Sequence, residues 1–278
     1  RRVMKAASFD YVRAESKREV LQLLHEHGED ARVLAGGQSL MATLNMRLTQ
    51  PKVVIDINRV EELNRIRNDN GHLAVGAAVR QVQLTDRAEL IREVPLLAKA
   101  LPWIGHFQTR NRGTVCGSVA HADPSAEIPL CLVTLGGSVV LESLKGKRRE
   151  VPAADFFQGL LTTDRQPKEL ISEVRFPLAE DGTDYHFQEI AMRHGDFALV
   201  ALALCLRADG AHLGVGGVAD RPVARTLPLG DELPDALNTL AWSLGAQDDV
   251  HASAAYRRQL VRELGQRLIE EPSHARTR

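Results

Sequence analysis

The sequence predicts an α+β fold built from successive units, and three observations carry the prediction. A helix signal followed by two short apolar strands opens the chain, hairpin signals and helical stretches alternate through its middle, and glycine-punctuated strands followed by two helical stretches make up its end. At 278 residues the chain is long enough for two or three subdomains and for burying a large ligand.

Ser16-Lys17-Arg18-Glu19 is a capping box, and Val20, Leu21, Leu23 and Leu24 then give an apolar helix face that stops near Gly28. Arg32-Val33-Leu34-Ala35 reads as a buried strand, residues 40–48 as a short helix and residues 53–57, after Pro51, as a second strand. From Ile66 the pattern becomes strand, Asp69-Asn70-Gly71 turn and strand, a hairpin that places the start of a second subdomain near Asp56. Helices are expected at 82–90 and 95–101, followed by a long polar, glycine-bounded loop over 104–113. Residues 139–142 and 149–151 flank Lys145-Gly146 as another hairpin, and 170–176 form a strand ending at Pro177. Strands follow at 187–192, 197–206 and 212–218, then helices at 235–244 and 252–269. Tyr256, Leu260, Val261, Leu264 and Leu268 share one side of the latter, and the polar end is expected to fray from Pro272.

Composition narrows the function. A formal charge of -1 with 44% hydrophobic and 26% charged residues argues against a nucleic-acid binder and against a disordered tail. The longest apolar run, 197–206, is about half of what a membrane span needs, and no apolar leader follows Arg1-Arg2, so the expected compartment is the cytoplasm. Cys116, Cys131 and Cys205 match neither a disulfide framework nor a zinc or iron–sulfur ligand set, and the ten histidines show no metal-ligand spacing.

The chemistry is expected at two glycine-bearing segments. Val33-Leu34-Ala35-Gly36-Gly37-Gln38-Ser39 runs a strand into two glycines and a hydroxyl, where backbone amides approach an anion without Cβ interference. Gly113-Thr114-Val115-Cys116-Gly117-Ser118 reads as a second turn of the same kind, and two separated cradles suit a dinucleotide, with FAD the leading candidate. A Rossmann reading fits poorly, because the glycines are adjacent and no well-placed acidic residue follows. Beyond the second turn, Asp123 and Glu127 are available to accept hydrogen bonds from ribose or ring donors, or simply to cap a helix beginning near Pro124.

These residues resemble the FAD-binding medium subunit of molybdenum hydroxylases, the group of carbon monoxide dehydrogenase, xanthine dehydrogenase and bacterial N-heterocycle hydroxylases. The resemblance spans nearly the whole chain. It rests on Phe9-Asp10-Tyr11, the Ala35-Gly36-Gly37-Gln38-Ser39 turn, Arg110-Asn111-Arg112-Gly113-Thr114, the Gly117-Ser118 turn with Ala122-Asp123-Pro124, Gly195-Asp196-Phe197-Ala198, and the run from Gly214-Val215-Gly216-Gly217-Val218 to Ala219-Asp220-Arg221-Pro222. It implies a two-subdomain FAD-binding fold of the vanillyl-alcohol-oxidase/PCMH type over 1–176, with subdomains 1–55 and 56–176, and a C-terminal sheet-plus-helices domain over 177–278.

Carried over residue by residue, the resemblance implies that Val33 to Ser39 and Thr114 to Ser118 wrap the pyrophosphate through main-chain amides. Ile104 would pack beside the flavin, Asp123 and Glu127 would make polar contacts to it, and Ile171 and Phe197 would line the ring or the adenine side, ordinary core packing being the competing expectation for the three apolar residues. Two positions depart from the family pattern. Cys116 replaces the first glycine of the usual Thr-Ile-Gly-Gly turn, as in heterocycle hydroxylase relatives, and near Gln188-Glu189 some members carry a lysine close to the flavin. The implied partners are a large molybdopterin-binding subunit and a small subunit with 2Fe–2S clusters, which feed electrons to the flavin for delivery to NAD+, a quinone or another acceptor. This chain would hold neither molybdenum nor clusters and would need no general base. A stand-alone FAD oxidase or reductase of related fold, and a scaffold without flavin, are the alternatives.

Overall fold

A computed structural model describes residues 5–276 as three main sheets laid down in chain order. The first is parallel and short. Its strands are β1 (Asp10–Arg13), β2 (Ala31–Leu34) and β3 (Val53–Asp56), in the order β1-β3-β2, with helices α1 (Lys17–His27) and α2 (Leu40–Asn45) in the connections. The Ser16 hydroxyl accepts from the Glu19 amide at 3.2 Å, as the capping box requires, but the Glu19 carboxylate reaches back to the Glu15 amide instead of that of Ser16. Val20, Leu21 and Leu24 are buried, and the helix ends at Gly28 with φ 51°.

The second sheet is antiparallel. Strand β4 (Ile66–Asp69) turns through Asn70 and Gly71, both at positive φ, into β5 (His72–Gly76), the tight hairpin the sequence calls for. Six short helices follow: α3 (Gln81–Thr85), α4 (Leu90–Glu93), α5 (Pro95–Ala100), α6 (Phe107–Arg112), α7 (Val115–His121) and α8 (Glu127–Thr134). Next come β6 (Ser138–Ser143), β7 (Lys147–Pro152), helix α9 (Ala153–Phe156), a minor hairpin of β8 (Phe157–Gly159) and β9 (Thr162–Thr163), and β10 (Leu170–Pro177). The last returns to the middle of the sheet, giving the order β4-β5-β10-β6-β7.

The third sheet is a meander of β11 (Asp184–Ala191), β12 (Ala198–Arg207), β13 (Gly210–Gly216) and β14 (Val223–Leu227), with α10 (Leu233–Ser243) and α11 (Ala254–Arg276) packed on it. Strand β12 joins two cores by its period of two. Ala201, Ala203 and Cys205 belong to the core that runs back through the first two sheets, while Val200, Leu202, Leu204 and Leu206 belong to the one shared with α10 and α11. Every residue of α8 is buried, and it contacts β12 and β13. Small residues allow this approach. A β-carbon on Gly214 would lie 1.8 Å from the Thr134 hydroxyl.

Several expectations are corrected. Residues 104–113 are not one loop, because 107–112 wind into α6; the expected helix at 82–90 is two short ones; and the turn expected at Thr114 to Ser118 is the first turn of α7. The last has a local cause, since the Thr114 hydroxyl accepts from the Gly117 amide at 3.0 Å as an N-cap while Val115, Cys116 and Val119 are buried. On α11, Tyr256 is exposed although Leu260, Val261 and Leu264 are buried, and the helix runs through Pro272 to Arg276. Among the described residues no helix is long and apolar enough to cross a membrane, and no group of three or more His, Cys, Asp and Glu could hold a metal.

Candidate cofactor site

The two glycine-bearing segments, far apart in sequence, lie against each other. A β-carbon on Gly36 would stand 2.3 Å from the Arg112 carbonyl oxygen and 2.7 Å from the Gly113 Cα, so only glycine fits where the segments meet. On the first side, Val33 and Leu34 end β2, and the exit from the strand is pinned by Ile57, whose amide donates to the Leu34 carbonyl at 3.0 Å. Asn58 adds a bond from its Nδ2 to the Ala35 carbonyl at 2.8 Å and is itself held by Asp56. Gly37 adopts φ 73°, which aims the chain into α2 behind Gln38 and Ser39. The Met41 amide of α2 donates to the Gly37 carbonyl and that of Thr43 to the Ser39 carbonyl, each at 3.2 Å, so the turn runs straight into the helix just past the Gly36 contact.

The second segment hangs from the chain that leaves β5. The Gln81 amide donates to the Gly113 carbonyl at 2.9 Å, and the Val115 amide to the Val79 carbonyl at 3.1 Å. Thr114, Val115, Cys116, Gly117 and Ser118 thus form the start of α7, where the Val115 amide is taken by Val79, the Gly117 amide by the Thr114 hydroxyl and the Ser118 amide by the Thr114 carbonyl. Cys116 sits in ordinary helical backbone, so its Cβ needs no special φ. Its thiol donates to the Val75 carbonyl at 3.4 Å, and burial pushes its pKa well up, leaving it a protonated packing group.

Two further motif segments converge nearby. Ile104 is buried and its carbonyl accepts from Arg110 at 2.8 Å; a β-carbon on Gly195, at φ 87°, would lie 2.9 Å from the Gly105 carbonyl oxygen and 3.0 Å from the His106 ring. The turn before β12 therefore rests on the 104–106 backbone, and Trp103 stacks on His194 with centroids 5.7 Å apart. Phe197 is 74% exposed, which removes core packing as its role. Ile171 differs. It is 4% exposed within the core at the β10 bulge, where packing is the role its surroundings give it.

Neither acidic residue caps a helix. The Asp123 carboxylate closes a turn by accepting from the Ser125 amide at 2.8 Å, while Ala126 occupies the cap position of α8 and Glu127 its first turn. Glu127 is 8% exposed, and burial pushes its pKa up to about 7. Facing it is a residue not anticipated as part of the site, Glu189 of β11. That carboxyl is 4% exposed, and burial together with the charge of Glu127 pushes it up to about 8. The signal available was Glu189 sitting between Gln188 and Ile190 in an otherwise half-apolar strand; its position on the inward face was not.

The comparisons with known proteins agree on what this arrangement belongs to. The family model for the FAD binding domain in molybdopterin dehydrogenase matches residues 7–179. The 6-hydroxypseudooxynicotine dehydrogenase complex subunit alpha of Paenarthrobacter nicotinovorans is 37% identical over 98% of this chain and 96% of its own. Among solved structures, quinoline 2-oxidoreductase from Pseudomonas putida 86 superposes with a TM-score of 0.89 at 33% identity, covering 98% of this chain and 99% of that one. A carbon monoxide dehydrogenase of Hydrogenophaga pseudoflava lacking the Mo-pyranopterin moiety of its molybdenum cofactor superposes at 0.87 with 29% identity, covering 95% and 96%. The abutting glycine segments and these matches lead to one conclusion: the chain belongs to the family of FAD-binding domains of molybdopterin dehydrogenases and is an oxidoreductase subunit of the molybdenum hydroxylase class.

Proposed function

We propose that this chain binds FAD between residues 33–39 and 114–118 and is the electron outlet of a molybdenum hydroxylase complex. In this reading it receives electrons from the 2Fe–2S clusters of a small partner subunit, which a large molybdopterin-binding subunit supplies, and passes them to NAD+ or another acceptor such as a quinone. The observation that carries the reading is the Gly36 contact with Arg112 and Gly113, which brings together, with no side chain between them, two glycine-bearing segments that each run into a helix. Bound FAD would supply a centre that exchanges electrons singly with one partner and in pairs with another. The chain's own residues hold and orient it. Main-chain amides of the two segments neutralise the diphosphate, Ile104 packs beside the ring, Asp123 and Glu127 accept or donate hydrogen bonds, and exposed Phe197 covers the opening. The two-subdomain, PCMH-type division at residues 55 and 176, with a C-terminal unit beyond, belongs to the same reading.

The test uses the complex copurified with its two partner chains. Reduction through the iron–sulfur chain is expected to bleach the flavin band at about 450 nm, and NAD+ or a quinone is expected to restore it. A flavin that stays oxidised while the clusters are fully reduced contradicts the electron-outlet role.

A further inference from the structure

The interior holds one arrangement that the cofactor reading has not used. Both oxygens of Glu189 are buried and receive no hydrogen bond from any donor among the described residues, and the charged group acting on them is the carboxyl of Glu127, itself buried at the start of α8. No cation compensates either carboxyl among the described residues. Lys99 of α5, the helix packed on β11, is engaged by the Tyr185 carbonyl. His212 of β13 is hydrogen-bonded with the Thr226 hydroxyl at 3.0 Å, Arg225 of β14 donates to the Ala224 carbonyl at 2.8 Å, and Asp123 ahead of α8 and the Cys131 thiol within it are further groups that interact with Glu127. Glu127 receives a hydrogen bond from its own backbone amide, but Glu189 receives none, and two buried carboxylates acting on each other without a compensating cation are strongly disfavoured in the doubly ionised form. One proton between them removes one charge and makes the missing hydrogen bond.

We propose that Glu127 and Glu189 form a carboxyl pair sharing one proton, in which Glu189 is a positioning residue that fixes Glu127 toward the cofactor. The inference rests on the FAD reading above. Glu127 opens the helix that follows the second cradle, and Glu189 stands on the strand that leads to Phe197. The shared proton therefore ties the two sides of the site together. Loss of that proton leaves two like charges buried against each other, which drives Glu127 out of position.

The experiment measures FAD affinity of the apo-protein, in complex with its partner chains, by flavin fluorescence between pH 6 and 9. Affinity of the wild type is expected to weaken above neutrality, approaching tenfold per pH unit beyond the titration of a one-proton linkage. Glu189→Gln, whose amide donates to Glu127 without a titrating proton, is expected to restore binding at alkaline pH, and Glu189→Ala to bind weakly throughout. An infrared band of a protonated carboxyl, shifting in deuterated water and absent from Glu189→Gln, is the second readout. A flat wild-type profile, or an unchanged profile in Glu189→Gln, overturns the pair while leaving FAD binding intact. Failure to bind FAD at any pH overturns the cofactor reading and the inference with it.

Discussion

Gly36 makes the sharpest claim at the scale of one residue. A methyl group there has backbone on its far side, not a flexible side chain, so Gly36→Ala must push α2 away from the 112–113 backbone. The expected outcome is loss of most bound flavin and destabilisation of about 1–3 kcal/mol, read as flavin absorbance per protein and as Tm. Gly146, with nothing near its Cβ position, supplies the contrast; Gly146→Ala pays only for its φ of 73° and is expected to keep its flavin. Protonation of the Glu127–Glu189 pair gives a second prediction. The proton they share is held well above the ordinary carboxylate range of 4.5, so the folded chain keeps a proton that the unfolded one releases, and that contribution to stability is lost as pH rises through about 7 to 8. The drop in Tm between pH 6 and 9 is therefore expected to be larger for the wild type than for Glu189→Gln by several degrees, at about 2–4 °C per kcal/mol for a chain of this size. An equal drop in both proteins assigns the pH dependence elsewhere.

Among the elements, α7 depends on its cap. It is seven residues long and carries a glycine in its interior, so its start is held by Thr114 and by the bond from Val115 to the Val79 carbonyl. Thr114→Ala is expected to cost about 1 kcal/mol and to weaken flavin retention, with Thr114→Ser recovering both; a Tm unchanged by the alanine contradicts the cap. This helix also shows why the sequence misled locally. The run Thr114-Val115-Cys116-Gly117-Ser118 has the small residues of a turn, and the cue for a helix, a threonine accepting from an amide three positions on, reads equally as a turn. Strands and hairpins with strong local signals, such as Asp69-Asn70-Gly71 between β4 and β5, were legible because the turn itself demands those residues. Glu189 was not legible as a site residue, since only the pairing of β11 with β12 and the packing of α8 bring it to Glu127.

For the whole molecule, the division of labour in β12 ties the C-terminal sheet to the rest of the chain. Its small residues face the core that includes α8, and its large ones face α10 and α11. Enlarging the small face, as in Ala203→Leu, is expected to loosen the C-terminal sheet from α8 and to cost about 1–3 kcal/mol, whereas Leu268→Ala, on the partly buried side of α11, is expected to cost less; thermal unfolding of both variants checks this ordering. The glycine-bearing segments that pointed to a flavoprotein prove to be of two kinds. Gly36, Gly113 and Gly195 let backbone segments meet at the candidate site, while Gly214 and Gly216 seat α8 on β13. Glycine-rich motifs thus marked both the candidate site and its support, and only the contacts separate them.

The most direct measurement is the flavin content of the purified complex, taken from its visible spectrum and from chromatography of the released cofactor. The account predicts FAD, close to one per chain, with bands at about 370 and 450 nm that persist through desalting. A complex that holds its iron–sulfur clusters but no flavin, even after incubation with FAD, contradicts it.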